Sequence, residues 1–157
     1  MENPYASLPP DVRADFDNLI EVELTAASRF LDSSPRSRDA SFLPYGAFVN
    51  PQGKTILAGS YSGAPQDLLR QLLEGLRDEL GRGNLRSCCH CLDVRIPASS
   101  GIGKIDAVML SLEHQSGASI TLYVPYQLNP RGPVAFGTPT LAPGKPVVFL
   151  TSTPDAA

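Results

Sequence analysis

Downstream of Pro9-Pro10, apolar residues recur at intervals of three and four: Phe16, Leu19, Ile20, Leu24, Ala27, Phe30 and Leu31, with Asp11 placed as an N-cap. This spacing predicts an amphipathic helix over 11–31. Residues 32–41 contain Ser33-Ser34-Pro35-Arg36-Ser37-Arg38, the composition of a solvated, mobile loop, and Arg36 and Arg38 are read as part of it. Phe42 to Val49 and Lys54 to Ala58 are strand-like, and Asn50-Pro51-Gln52-Gly53 between them puts Pro and Gly where a tight turn uses them, so a β-hairpin is expected. After Gly59 and Gly63, Pro65 suits the first turn of a second helix. Its stripe of Leu68, Leu69, Leu72, Leu73, Leu76 and Leu80 ends at Gly81 and Gly83.

From Asn84 onward the helical period disappears, and three strands are expected, over Leu85 to Ile96, Lys104 to Glu113 and Ala118 to Val124. A turn at Gln115-Ser116-Gly117 with Gly117 left-handed fixes the register of the last pair: Leu112 meets Ile120, Leu110 meets Leu122 and Val108 meets Val124. These side chains share one face, and Glu113, Ser111, Ser119 and Thr121 share the other. A slip of one residue would bury the polar set, at about 1–3 kcal/mol for each unsatisfied group. The tail from Tyr126 is rich in Pro and Gly, with the short runs Val134-Ala135-Phe136 and Val147-Val148-Phe149-Leu150 able to extend a sheet edge. The expected architecture is one α+β domain over 1–157: an antiparallel sheet of about five strands, both helices on one face, and mobile termini at about 1–10 and 151–157.

That order of helix, hairpin, helix and meander resembles the roadblock and profilin-like group of domains. The resemblance implies a five-stranded antiparallel sheet with helices on one face and a role in dimerisation or docking. The segments Phe42-Leu43-Pro44-Tyr45-Gly46-Ala47, Gly53, Glu113-His114 and Pro125-Tyr126 are similar to a pattern in small uncharacterised bacterial proteins. Neither resemblance brings a catalytic motif, and a fold does not fix a function.

With 157 residues, a chain of this size buries about 70% of its unfolded surface, so metals or disulfides are not needed to hold it. Its 13 Lys+Arg against 16 Asp+Glu leave no excess of cations for phosphates or an anionic membrane, so neither nucleic acid nor membrane is an expected partner. Met1-Glu2-Asn3-Pro4-Tyr5 has no basic stretch leading into an apolar run, and the three cysteines are an odd number, all within Cys88-Cys89-His90-Cys91. A reducing cytoplasm is the expected location.

Four features could carry chemistry. Ser99-Ser100-Gly101-Ile102-Gly103-Lys104 departs from a phosphate loop at Ala98 and Ile105 and lies between strands, so it reads as a hairpin connection. In Cys88-Cys89-His90-Cys91, neighbours on a strand point to opposite faces and no second ligand pair exists, so no metal or other cofactor is expected. A Cys/His nucleophilic site would use Cys88, Cys89 or Cys91 as thiolate, with His90 or His114 as base and Glu113 or Asp93 to orient it. Asp93, Asp106 and Glu113 otherwise read as exposed charges on the outer face. That outer face also carries Met109 opposite Tyr123 and Ala107 beside Pro125. If Cys91 lies beside Met109, then Cys91, Met109 and Tyr123 form an apolar row marking a partner surface, a self-association surface, or the place where the tail folds back. The leading expectation is a non-catalytic interaction module, immunity-type or regulatory, that binds a protein partner or itself through a sheet face or edge. The alternative is a small enzyme with the Cys/His site.

Overall fold

The computed structural model describes residues 3–33, 44–59, 65–129 and 132–150. Most of the loop expected over 32–41, with Arg36 and Arg38, lies outside the described residues, as do 42–43 of the first expected strand and the 151–157 terminus. The elements follow the expected order: α1 (Pro10–Ser33), β1 (Tyr45–Val49), β2 (Thr55–Ala58), α2 (Pro65–Gly81), β3 (Ser87–Pro97), β4 (Lys104–His114) and β5 (Ser119–Gln127). Two short strands of the tail come next, β6 (Ala135–Phe136) and β7 (Thr140–Pro143). Every pairing is antiparallel, in the spatial order β2-β1-β3-β4-β5-β6, with β7 also paired to β5.

The fold is therefore α+β, but the sheet has seven strands where about five were expected. The additional strands come from the tail. Without them the outer side of β5 would present unpaired N–H and C=O groups, and short Pro-containing strands are the kind that can close such an edge. Val134-Ala135-Phe136 does contribute, as β6, whereas 147–150 is not a strand.

The meander has the expected register. The His114 N–H donates to the Ala118 carbonyl across a turn in which Gly117 has φ of +97°, and Leu112, Leu110 and Val108 face Ile120, Leu122 and Val124. The β3–β4 pair is shifted by one residue from the expected alignment, so Leu92, not Cys91, lies opposite Met109. Because side chains alternate with period two, that single step carries Cys91 to the opposite face, where it pairs with Leu110 and is buried.

The helices do not share a face. On one side Phe16, Leu19, Ala27 and Leu31 of α1 pack over Ala47, Val49, Cys89, Leu110, Leu112 and Ile120. On the other, Leu72 and Leu76 of α2 pack with Phe48, Leu85, Cys88 and Val148. The expectation of one covered face fails because β1 and the first half of β3 are buried on both sides: all residues of Tyr45–Val49 and of Ser87–Cys91 are buried. A stripe of leucines records that a helix face is covered and does not record which side of the sheet covers it.

Gly46 shows how closely α2 approaches. A Cβ at this position would stand 2.8 Å from the Cys89 carbonyl oxygen and 3.2 Å from Leu72 Cδ1. In an ordinary strand, Ala would be preferred to Gly. Here Gly46→Ala should lower stability by about 1–3 kcal/mol through overpacking. Urea denaturation measures this, and an unchanged midpoint would contradict the position of α2.

Candidate functional site

The half of the sheet covered by α2 has a polar interior. On this face lie Gly46, Phe48, Cys88, His90, Ser111 and Glu113, with His90 opposite Ser111 and Cys88 opposite Glu113. Glu113, expected as an exposed charge, is 1% exposed. After β7 the tail turns back across this face. Its Val147, Val148 and Phe149 N–H groups all donate to Glu113 Oε1 at 3.0 Å, and the Val148 N–H also lies 3.3 Å from Oε2. A buried carboxylate is tolerated when donors converge on it, and three successive amides provide them. Arg77 of α2 donates from Nε to the Val147 carbonyl at 2.8 Å, and Val148 enters the apolar cluster.

Beyond this covered half the same face is uncovered among the described residues. Leu92, Val94, Ile96, Met109 and Tyr123 are half-buried, and Val94, Ile96, Met109 and Tyr123 join Arg95, Pro97 and Thr140 around a depression of about 540 Å³. Met109 and Tyr123 are thus brought together as expected. Cys91 is not, and Leu92 occupies its place in the row. A larger depression, about 670 Å³, lies at the far end of β4 and β5 and is lined by Ile105, Pro125, Leu128 and Phe136 with Lys104 and Asp106. Its lining contains no Cys, Ser, Thr or His.

The three thiols of the expected Cys/His site are buried. Cys89 and Cys91 lie in the core beneath α1, with Cys88 on the opposite face, and none forms a disulfide. Burial pushes all three thiols well above their usual range, so they stay protonated instead of becoming thiolates. Among the described residues no group of three or more His, Cys, Asp and Glu could hold a metal. Ala98 to Gly103 is a hairpin connection, closed by the Ala98 N–H on the Gly103 carbonyl.

His114 sits at the end of β4, where the turn into β5 begins. Its Nδ1 accepts the Ser116 backbone N–H at 3.0 Å and lies 2.9 Å from Ser116 Oγ, while Nε2 lies 3.6 Å from Asp15 Oδ2. Asp15 also accepts two N–H bonds from Arg86, at 2.9 and 2.8 Å, and the Ser87 hydroxyl at 3.0 Å. An acid, an imidazole and a hydroxyl in a row are the parts of a hydrolase triad. Here the hydroxyl also accepts the Ala118 N–H at 3.4 Å, and the Gly117 and His114 amides are both bonded within the turn, so these turn amides supply no oxyanion hole. The cluster ties the start of α1 to β3 and the β4–β5 turn.

Comparison with protein-family models, with curated proteins and with solved structures finds no match. The expected helix arrangement of the roadblock and profilin-like group, all on one face, is not the one observed.

Three functional-looking groups escaped the sequence reading. Asp15 and Arg86 are far apart in sequence and carry no motif. Glu23 did leave a signal, because it falls on the stripe of Phe16, Leu19, Ala27 and Leu31. It is wholly buried, its carboxyl oxygens have no hydrogen-bond partner, and burial holds its pKa well above the usual carboxylate range. Its stabilising state is the protonated one, so the penalty grows as pH rises above about 4.5. His90 behaves in the opposite sense: burial lowers it from 6.5 to about 4, so stability present above 6.5 is lost on descending toward 4, on the order of 3 kcal/mol. Denaturation midpoints across pH should show Glu23→Met stabilising by about 1–3 kcal/mol at pH 8 and less at pH 4. His90→Leu should flatten the acid side. Parallel pH profiles for both variants and the parent would contradict these assignments.

Proposed function

We propose that the chain is a non-catalytic protein-interaction module, regulatory or immunity-type, working in a bacterial cytoplasm and binding a protein partner or a second copy through the open half of the sheet's outer face. The observation that carries this reading is the contiguous row Val94, Ile96, Met109 and Tyr123, left half-buried by α2 and the other described residues. Apolar side chains gathered on one face with an Arg and a Thr at the rim have the composition of an interface core. The net charge of -3 disfavours nucleic acid and anionic membrane as partners, and no helix among the described residues is long and apolar enough to cross a membrane. Three buried, unbridged thiols suit a reducing compartment. The alternative enzyme reading is disfavoured by thiols that burial keeps protonated.

Met109→Glu places a charge in the middle of the row. Light scattering at two concentrations, with capture from a host lysate, should show association in the parent and at least a tenfold loss in the variant. Its folding midpoint should be almost unchanged, because Met109 is only half-buried. Undiminished association of Met109→Glu would remove the open face from consideration. The cysteines should resist alkylation until the chain unfolds. A native-state thiol whose modification abolished a measurable activity would favour the enzyme reading instead.

A further inference from the structure

The tail segment Thr140–Phe149 lies in its groove as a ligand lies in a receptor, and the receptor is built wholly from residues outside it. Main-chain pairing seats the segment first: Thr140 to Pro143 run antiparallel to Ile120–Tyr123, and the Gly144 N–H donates to the Ser119 carbonyl at 3.2 Å. Gly144 must then pass directly over Ser119. A Cβ there would stand 2.1 Å from Ser119 Oγ and 2.4 Å from the Ser119 carbonyl carbon. Glu113 next gathers three consecutive amides, Arg77 takes the Val147 carbonyl, and Val148 fills a socket of Phe48, Leu72, Leu76 and Leu85. Strand addition, carboxylate capture of backbone amides and one apolar anchor are together a mode of peptide recognition. The peptide that occupies this groove is the chain's own.

We infer that this groove is a self-association site whose occupant in trans is the Thr140–Phe149 segment of a second copy, exchanged for the chain's own. Exchange of an identical element between copies creates no new kind of contact, so each donated segment meets the same β5 edge, Glu113 and apolar socket. In the single chain the tethered segment holds the groove at an effective concentration of about millimolar, which keeps dilute protein in the closed form. The inference does not rest on the open face, because Met109 takes no part in the groove. Thr140 borders both surfaces, so release of the segment would enlarge the depression beside Met109 and Tyr123.

Two full-length variants test it by complementation. Gly144→Ala damages the donated segment and leaves the groove intact; Glu113→Gln damages the groove and leaves the segment intact. Both also carry Met109→Glu, which removes association through the open face. Light scattering should give the mass of one chain for each variant alone and a twofold higher mass for the equimolar mixture. A labelled peptide of residues 140–150 should bind the folded Gly144→Ala chain at least tenfold more tightly than it binds the parent. Val148→Asp is a second damaged segment, should Gly144→Ala not fold, with the same results expected. The inference is overturned if the mixture stays at the mass of one chain. It is also overturned if the peptide binds the variant no better than the parent, or if both segment variants unfold, since the segment would then be an inseparable strand.

Discussion

Burial of the inner end of the sheet on both of its faces is the constraint that organises this protein. Tyr45–Val49, Ser87–Cys91 and Leu110–His114 lie side by side with every residue buried. A strand region in that position needs a cover above and a cover below, and one helix cannot supply both. Helix α1 lies on one face and α2 on the other, with the end of the tail beside α2. Small residues at the centre follow from this. Gly46, Ala47 and the cysteines allow the layers to approach, and Gly46 has no room for a Cβ. The polar groups caught inside differ in how they are accommodated: Glu113 collects backbone donors, Asp15 collects Arg86 and Ser87, and Glu23, whose carboxyl has no hydrogen-bond partner, is shifted by burial toward its protonated form.

The covers are shorter than the sheet they cover. β3 and β4 run on together to Pro97 and Lys104, well past the last residue of β3 that pairs with β1, which is Cys91. On the α2 side the projecting part carries Val94, Ile96 and Met109, with Tyr123 beside them on β5. Among the described residues the apolar row and the covered polar groove are therefore two halves of one face, divided where the cover of α2 and of residues 147–149 ends. This division is the feature on which the proposed binding role rests. The three cysteines and His90 lie on the covered side or in the core, and the half-buried row Val94, Ile96, Met109 and Tyr123 is apolar.

Much of this was legible in the sequence, for physical reasons that also mark where legibility stopped. Local periodicity located both helices, the hairpin and the meander, because each amphipathic pattern reflects one buried face. The Gln115-Ser116-Gly117 turn fixed the β4–β5 register, since a short turn leaves few alternatives. The longer connection from Ala98 to Gly103 permits several alignments, and the one-residue difference there moved Cys91 from the outer face into the core. The side of the sheet chosen by α2 could not be read, because an apolar stripe carries no sign. The tail's Pro and Gly content suggested punctuation, yet its prolines are compatible with short edge pairing, and Gly144 allows the crossing over Ser119. Glu113 alternates with apolar neighbours as an outward residue should; only the returning tail makes that position an interior one.

Native-state amide hydrogen exchange, resolved by residue, tests the double-sided cover most directly. The amides of Val147, Val148 and Phe149 should exchange far more slowly than those of an unstructured peptide, because all three are held on Glu113 beside α2. The part of β3 beyond Cys91 should exchange faster than the part that pairs with β1. Exchange of the three tail amides at the rate of an unstructured peptide, with β4 still protected, would contradict the account.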